Sequence, residues 1–285
     1  MPVARLAAGP VEYLDTGGDG PTIVFLHGFI MDATLWNEVV PTLAPEYRCV
    51  RPTLPLGSHR QPMHPDADLS LTGMVNVVAD FLDCLDLQDV TVVHNDWGGA
   101  LFLTSLGRDQ RVARHVVCSC EAFDNFPPGL PGLLAKIASW VPGGIPLALR
   151  QLRIGWLRRS PLLLGQMAKR PLPDELVRGW TAPGMESAEI RRDIRKYARR
   201  TWPKEQLVAA TERLADFTGP ALVVWTPETS VMPAEHGRRL AELFADGRLV
   251  ELTDSYVLVP LDQPVPLAGL IDEFVRTNPA RTTRD

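Results

Sequence analysis

Val92-Val93-His94-Asn95-Asp96-Trp97-Gly98-Gly99-Ala100 is a stretch in which an apolar run passes directly into small residues. A strand that turns sharply into a helix is crowded at the turn, and the two glycines would relieve that crowding. Such a turn pushes one side chain out beyond the strand, and here that side chain belongs to Asp96. The position two residues earlier is usually small in such turns, but here it is His94. A carboxylate in this place predicts ester formation at an alkyl carbon or proton abstraction. The alternative is that Asp96 caps a helix beginning at Trp97.

The rest of the chain alternates between apolar runs of strand length and segments with helical spacing. The run Thr22-Ile23-Val24-Phe25-Leu26 is typical of a strand buried on both faces. Predicted strands cover 3–14 (as a pair), 22–26, 47–52, 90–93, 115–119, 221–225 and 248–252, and predicted helices cover 33–43, 72–85, 98–106, 234–244 and 265–275. This alternation predicts an α/β fold with a mostly parallel sheet flanked by helices.

The pattern changes between residues 125 and 215, where prolines break the chain into short helical segments. This segment also contains four of the seven tryptophans of the chain, which are Trp140, Trp156, Trp180 and Trp202. We predict a helical cap over residues 125–215, inserted into a core formed by residues 1–124 and 216–285.

Charge is unevenly distributed along the 285 residues, whose net charge is −5. Residues 121–216 contain 16 Lys and Arg against 10 Asp and Glu, so a basic middle segment interrupts an acidic chain. This favours a solvated cap surface or attraction of an anionic substrate, and the absence of a groove-reading motif argues against a nucleic-acid partner.

The cysteines and the N-terminal sequence bear on the compartment of the protein. Cys49, Cys84, Cys118 and Cys120 lie in apolar runs without metal-ligand spacing, which predicts reduced core residues and no metal site. The sequence contains no visible signal peptide or membrane span. We therefore expect a cytoplasmic protein without a membrane partner, and the oligomeric state stays open.

His27-Gly28-Phe29, the turn at Asp96 and the pattern around Pro233 and Pro260 together resemble the α/β-hydrolase superfamily over nearly the whole chain. An Asp followed by Trp at the turn resembles the branch of haloalkane dehalogenases and epoxide hydrolases. The resemblance implies the α/β-hydrolase fold with a helical cap inserted after the sixth strand, and an enzyme that needs no cofactor and acts on a small-molecule substrate.

The same resemblance implies roles for individual residues. Asp96 takes the position of the nucleophile, and the backbone N–H groups of Phe29 and Trp97 take the positions of the oxyanion hole. Trp97 also matches a position that binds halide in dehalogenases, but the Asn that usually assists it is Phe29 here. Epoxide hydrolases use a pair of cap tyrosines, whereas this cap has only Tyr197, which we place among the substrate-binding candidates.

The partners of the nucleophile depart from the pattern of the superfamily. The usual acid position after the strand at 221–225 is Thr229, with Glu228 as its neighbour. Glu121, which directly follows the sixth strand, occupies the place of the acid in some dehalogenases. It is predicted either to act in the site or to form a salt bridge beside the cap. The position of the usual histidine is Val257, preceded by Tyr256, and both are substrate-binding candidates.

Without an imidazole at position 257, no general base is identified that would hydrolyse an ester on Asp96. Four other histidines are candidates to replace this base or to contact the substrate. His27 belongs to the oxyanion loop, His94 lies two residues before Asp96, and His59 and His64 lie on a loop that often borders the pocket.

Three functions follow from these residues. The first is a non-hydrolytic enzyme for cyclisation, lyase or addition chemistry on a sizeable hydrophobic small molecule, of the kind found in natural-product biosynthesis. Asp96 would then be the base or would anchor a substrate hydroxyl, and the cap tryptophans would form a wall for a hydrophobic or aromatic substrate. The second is a hydrolase of the dehalogenase or epoxide hydrolase type with a relocated histidine. The third is a pseudoenzyme that binds a small ligand.

Overall fold

The computed structural model describes residues 1–96, 100–200 and 202–279, and its centre is an eight-stranded sheet. The strands are β1 (Val3–Leu6), β2 (Gly9–Asp15), β3 (Thr22–Leu26), β4 (Arg48–Pro52), β5 (Val90–Asp96), β6 (Val112–Cys120), β7 (Pro220–Trp225) and β8 (Asp246–Glu251). Their order across the sheet is β1-β2-β4-β3-β5-β6-β7-β8. Only the β1–β2 and β2–β4 pairs are antiparallel, and the other pairs are parallel, which confirms the predicted fold class.

The parallel strands are apolar because helices cover both faces of the sheet. Every residue of β5 is buried, as are the last four of β3. In the register, Leu26 of β3 lies beside His94 of β5, and His94 lies beside Val117 of β6. The carboxyl ends of β3, β5 and β6 therefore meet at one edge of the sheet, where the residues that follow them can form a site.

The described residues form eleven α-helices and three 3₁₀ helices. The α-helices are α1 (Val40–Leu43), α2 (Leu71–Cys84), α3 (Gly129–Trp140), α4 (Gly144–Leu152), α5 (Gly155–Arg158), α6 (Asp174–Glu186), α7 (Ala188–Arg199), α8 (Lys204–Glu212), α9 (Ala234–Leu243), α10 (Val259–Asp262) and α11 (Pro264–Thr277). The 3₁₀ helices are Ala33–Trp36, Ala100–Leu106 and Arg213–Asp216. Helices α3 to α8 all lie between β6 and β7 in the chain.

Two helix predictions differ from the structure. The helix predicted over 33–43 is a 3₁₀ turn at Ala33–Trp36 followed by α1, because Pro41 lacks an N–H and fits only the first turn of a helix. The helix predicted over 98–106 is described from residue 100 onward as a 3₁₀ helix with a kink at Phe102. Its first residues, Gly98 and Gly99, lie outside the described part of the chain.

The cysteines are reduced, as predicted, but they are not all core residues. Cys49, Cys118 and Cys120 are buried, whereas Cys84 is exposed at the end of α2. The position on α2 explains this difference, since the helix turns only its apolar stripe toward the sheet. Within the described residues, no helix is both long and apolar enough to span a bilayer.

Candidate active site

Asp96 ends β5 in a backbone conformation that residues other than glycine rarely adopt. Its φ is 64°, in the left-handed region, and the pairing of β5 with β6 shifts register between Asn95 and Asp96. A non-glycine residue in this region is strained and persists only where the surrounding structure holds it. The turn predicted from the sequence is therefore present at Asp96, while Trp97, Gly98 and Gly99 lie outside the described residues.

The loop after β3 holds the Asp96 carboxylate. The Phe29 N–H donates to Oδ2 of Asp96 at 3.3 Å. Gly28 makes this approach possible, because a Cβ there would lie 2.0 Å from the same oxygen. The sequence predicts that this N–H stabilises a substrate oxyanion, and in the structure it binds the Asp96 side chain. The second predicted donor, the Trp97 N–H, lies outside the described residues.

His27 shapes this loop from within the core. Its Nε2 accepts a hydrogen bond from the Leu54 N–H at 2.8 Å, and its Nδ1 lies 2.8 Å from the Gly28 carbonyl oxygen, to which it donates. Burial lowers the pKa of His27 to about 4, so the ring is neutral at physiological pH. Both ring nitrogens are thus engaged with backbone, and the structure gives His27 a supporting position.

Glu121 and Tyr197 lie close behind Asp96. Glu121 directly follows β6 and is 1% exposed. Tyr197 of α7 is fully buried, and its ring stacks on that of Phe29 with 5.7 Å between the centroids. Burial raises the pKa of Tyr197 well above its ordinary value, and the carboxylates of Glu121 and Asp96 raise it further. The phenol is therefore a neutral hydrogen-bond donor beside two carboxylates.

A cavity of about 330 Å³ opens above Asp96, between the end of the sheet and helices α3 and α4. Its described lining is aliphatic and proline-rich, and only Asp96 and Gln151 contribute polar side chains to it. The wall of tryptophan proposed from the sequence is wrong, since none of the four cap tryptophans is among the described lining residues. Trp180 and Trp202 are instead buried as packing residues.

Val257 occupies a buried position close to the turn at Asp96. The Asn95 side-chain amide donates to the carbonyl oxygens of Val257 at 2.7 Å and Cys118 at 2.9 Å. Asn95 thereby ties β5 and β6 to the loop in which the resemblance expects a histidine. Val257 is fully buried, and the Leu258 N–H that follows it donates to the Met167 carbonyl oxygen at 2.7 Å.

Residues 166–170, which we call the clamp segment, cover the loops that would carry the acid and the histidine. Asp262 is buried and accepts the N–H groups of Lys169 at 2.8 Å, Arg170 at 2.9 Å and Tyr256 at 3.0 Å. Thr229, at the usual acid position, donates through its hydroxyl to the Gln166 carbonyl oxygen at 3.0 Å. These loops are therefore used to hold the clamp segment.

Glu228, the neighbour of Thr229, belongs to the same arrangement. It forms an ion pair with Lys169 at 2.5 Å, and the hydrogen bond from Lys169 holds the pKa of this carboxyl below its usual range. Lys169 also pairs with Asp254 at 3.1 Å. The structure thus places Glu228 at the surface, away from the described lining of the cavity.

The remaining histidines have their own surroundings. His59 Nε2 lies 3.2 Å from the Asp193 carboxylate, and its Nδ1 accepts from the Gly57 N–H. His94 packs against His115 with 6.3 Å between ring centroids, and burial lowers its pKa to about 3. His64 is exposed. Neither His59, His94 nor Tyr256 is among the described residues that line the cavity.

The structure thus brings together Asp96, Phe29, Glu121 and Tyr197. Sequence reasoning missed the supporting residues Asn95 and Asp262, whose roles depend on partners more than 90 residues away. It also missed α3 and α4 as the wall of the cavity, although their largely apolar composition was a usable signal. No cluster of potential metal ligands occurs among the residues that the structure describes.

Comparison with known proteins agrees with this architecture. Residues 23–270 match the model of the alpha/beta hydrolase family. A haloalkane dehalogenase from Mesorhizobium japonicum is 40% identical over 103 residues, which cover 36% of this chain and 33% of that relative, so the match spans about a third of the relative's length. Haloalkane dehalogenase 2 from Mycobacterium tuberculosis is 26% identical over 271 residues, covering 93% of this chain and 91% of the relative.

A solved structure shares the fold across almost its whole length. A loop variant of a haloalkane dehalogenase from Bradyrhizobium elkanii has a TM-score of 0.73 and 19% identity, covering 96% of this chain and 95% of that one. The sheet order and the match over residues 23–270 lead to the same assignment. The chain belongs to the alpha/beta hydrolase family, and its sequence relatives include haloalkane dehalogenases.

Proposed function

We propose that this protein is an enzyme in which Asp96 moves a proton on a lipophilic small molecule, without hydrolysing an ester. The observation that carries this proposal is the buried Val257 at the position where the resemblance expects the histidine. The neighbouring acid positions support it, since Thr229 and Glu228 bind the clamp segment. Hydrolysis of an ester on Asp96 would need a base to activate water, and no histidine is among the described residues that line the cavity.

In this proposal the carboxylate is oriented before substrate arrives. The Phe29 N–H holds Oδ2, and we assign the proton transfer to Oδ1. The wall of the cavity is apolar and Asp96 is buried, and a carboxylate in such surroundings is a stronger base than in solution. A single charged group in an apolar cavity suits abstraction of a proton from carbon or from a hydroxyl, followed by cyclisation, elimination or addition.

The proposal also assigns a division of the chain and roles to the residues near Asp96. Residues 125–215 form the cap that closes the cavity, over a core of residues 1–124 and 216–285. Tyr197 and Glu121 position the site, since the neutral phenol lies near both carboxylates and against the Phe29 ring. The substrate is hydrophobic, because Gln151 is the only described polar lining residue besides Asp96.

A second candidate is formation of an alkyl ester on Asp96, as in a dehalogenase. The contact between the Phe29 N–H and Oδ2 supports it, because a carboxylate held in one orientation at the cavity is placed to attack an alkyl carbon. In this reaction an Asp96 oxygen would attack an alkyl carbon, and halide would leave with the bonding electron pair. Without a base, the ester would persist and the protein would release one halide per chain.

Two incubations of the same protein preparation distinguish the two candidate reactions. Incubation with 1-bromohexane is followed by halide release and by intact mass, and incubation with hydrophobic ketones in D2O is followed by deuterium incorporation. We expect deuterium exchange without mass increase, and a loss of exchange by a factor of about 10² to 10⁴ in Asp96→Asn.

Other outcomes have distinct meanings. Repeated release of halide would overturn the proton-transfer proposal and establish hydrolysis with a relocated base. A stable adduct would support the second candidate. Binding of the ketones with equal affinity by the parent protein and Asp96→Asn, without exchange, would indicate a ligand-binding protein. A melting curve for Asp96→Asn controls for loss of the fold.

A further inference from the structure

Large apolar side chains are concentrated on one exposed part of the cap. Of the eleven large hydrophobic residues exposed among the described residues, nine lie between positions 130 and 162. We call these nine the apolar face: Leu130, Leu133, Ile137, Trp140, Val141, Leu147, Ile154, Trp156 and Leu162. Single exposed hydrophobic residues are ordinary, but a concentration of this kind in one segment of the chain indicates an interaction surface.

Helix α3 shows why this face requires a partner. Its members of the apolar face recur at positions 130, 133, 137 and 140, which lie on one side of a helix. The opposite side contributes Pro131, Leu134 and Ala138 to the cavity. A helix that is apolar on both sides is normally buried, yet α3 buries only Gly132 and Ser139.

The charge of the same segment indicates what that partner is. Residues 125–173 contain seven Lys and Arg and no Asp or Glu, although the chain as a whole is acidic. Arg150 and Arg159 are exposed and form no ion pair with the described residues. Tryptophan beside arginine, with aliphatic residues between, is the composition of surfaces that lie at the boundary between lipid headgroups and acyl chains.

The cavity opens on this face. Ile137, Val141, Leu147 and Leu162 both line the cavity and belong to the apolar face. A molecule could therefore pass from an apolar phase to Asp96 without crossing water.

We infer that the apolar face docks on the surface of an anionic lipid bilayer. A second copy of the chain is a poorer occupant, because pairing this face with itself would bring the Arg150 and Arg159 charges of both copies to one interface. This inference replaces the expectation of no membrane partner, which rested on the lack of a spanning segment. Docking is independent of the reaction at Asp96. Only its corollary, that substrate enters from the bilayer, rests on the proposed function.

The apolar part of the inference is tested by sedimentation with vesicles of phosphatidylcholine and phosphatidylglycerol. We expect Trp156→Ala to lower the partition coefficient about tenfold, since the side chain is 77% exposed and would be inserted in lipid. Val265→Ala is the matched control, because Val265 is 68% exposed but lies on α11, and its binding should equal that of the parent. Equal binding by all three proteins would overturn the inference.

The charged part is tested by Arg150→Glu, with Arg5→Glu on β1 as the control with the same change of charge. We expect Arg150→Glu to bind about tenfold more weakly and Arg5→Glu to bind as the parent does. Vesicles of phosphatidylcholine alone should bind the parent more weakly.

Two further results decide the remaining alternatives. Asp96→Asn should bind vesicles as the parent does, so failure of the proposed chemistry leaves this result unchanged. A concentration-dependent dimer that Trp156→Ala abolishes, without vesicle binding by the parent, would show that a second copy covers the face and would overturn the inference.

Discussion

The two ends of the candidate site differ in how their polar groups are used. At the Asp96 end, the strained turn, Gly28 and the Phe29 N–H leave a carboxylate at the base of an open cavity. At the other end, Thr229 and Asp262 bind the backbone of the clamp segment, and the Val257 side chain is fully buried. Asp96 thus lines the cavity at one end, whereas the polar side chains Thr229 and Asp262 at the other end are used to hold backbone.

The largest effect on stability is expected at Asp262, the anchor of the clamp segment. Asp262→Ala should lower the free energy of unfolding by roughly 3 to 5 kcal/mol, because three backbone N–H groups would lose a buried acceptor. Chemical denaturation measures this change. Glu242→Ala, on an exposed part of α9, is the control and should leave the stability unchanged. A change below about 1 kcal/mol would mean that the clamp segment does not depend on Asp262.

The position of the absent histidine gives the next effect. Val257→His should lower the free energy of unfolding by about 2 kcal/mol, since the imidazole would enter a fully buried site. It should not create turnover of bromoalkanes or esters. Val257→Leu, which stays apolar, is the matched control for the change in volume. If Val257→His alone produced hydrolysis, the two ends would still form one catalytic site, and the contrast between them would fail.

Acid should destabilise the Asp96 end of the site through His27. The unfolded chain protonates His27 near its ordinary pKa of 6.5, whereas burial lowers the pKa in the folded state to about 4. The stability from the neutral ring is present above pH 6.5 and is lost as the pH falls toward 4. At pH 5 the loss from His27 is about 2 kcal/mol. His27→Gln should reduce the difference in stability between pH 7.5 and pH 5 by about that amount.

The control for this prediction is His64→Gln, which changes an exposed histidine and should leave the pH dependence as in the parent. His94 and His115 are also buried with lowered pKa values, so part of the acid sensitivity should remain in His27→Gln. An unchanged difference between the two pH values would show that His27 is not held neutral by the fold.

The smallest effect on stability is expected at the ion pair between Glu228 and Lys169. Glu228→Gln removes the ion pair with Lys169, which is partly exposed and screened by solvent. We expect no resolvable shift of the denaturation midpoint, with Lys169→Met as the matching change of the partner. An effect as large as that of Asp262→Ala would show that the surface ion pair, and not the buried Asp262 carboxylate, holds the clamp segment.

Local pattern was sufficient for most of the architecture. The prediction for β3 coincides with Thr22–Leu26, because five apolar-rich residues between polar turns leave little choice of boundary. The prediction of one helix over 33–43 was wrong, because Pro41 lacks an N–H and fits only the first turn of a helix, whatever the apolar spacing. The turn at Asp96 was predictable because an apolar run passes directly into small residues in the sequence.

The wall of the cavity was harder to predict. Tryptophans in a cap of short helices suggested an aromatic wall, but their indole groups are used for packing against the core or are exposed. Trp180, for example, donates to the Thr34 hydroxyl at 2.9 Å, 146 residues away. A contact between residues so far apart in the chain depends on how the cap helices pack against the core. The periodicity of the sequence does not contain this information.

The amino-acid sequence by itself determined the alternating fold, the carboxylate at the turn and the replacement of the usual histidine by Val257. These depend on residue types and on neighbours a few positions apart. Tertiary structure alone decided that the Phe29 N–H holds Asp96, that Asp262 anchors the clamp segment, and that the cap exposes its apolar face. The first two arise from contacts between residues 67 or more positions apart, whose partners are chosen by packing and by the need to satisfy buried polar groups. The third depends on which sides of helices α3 to α5 pack against the rest of the fold.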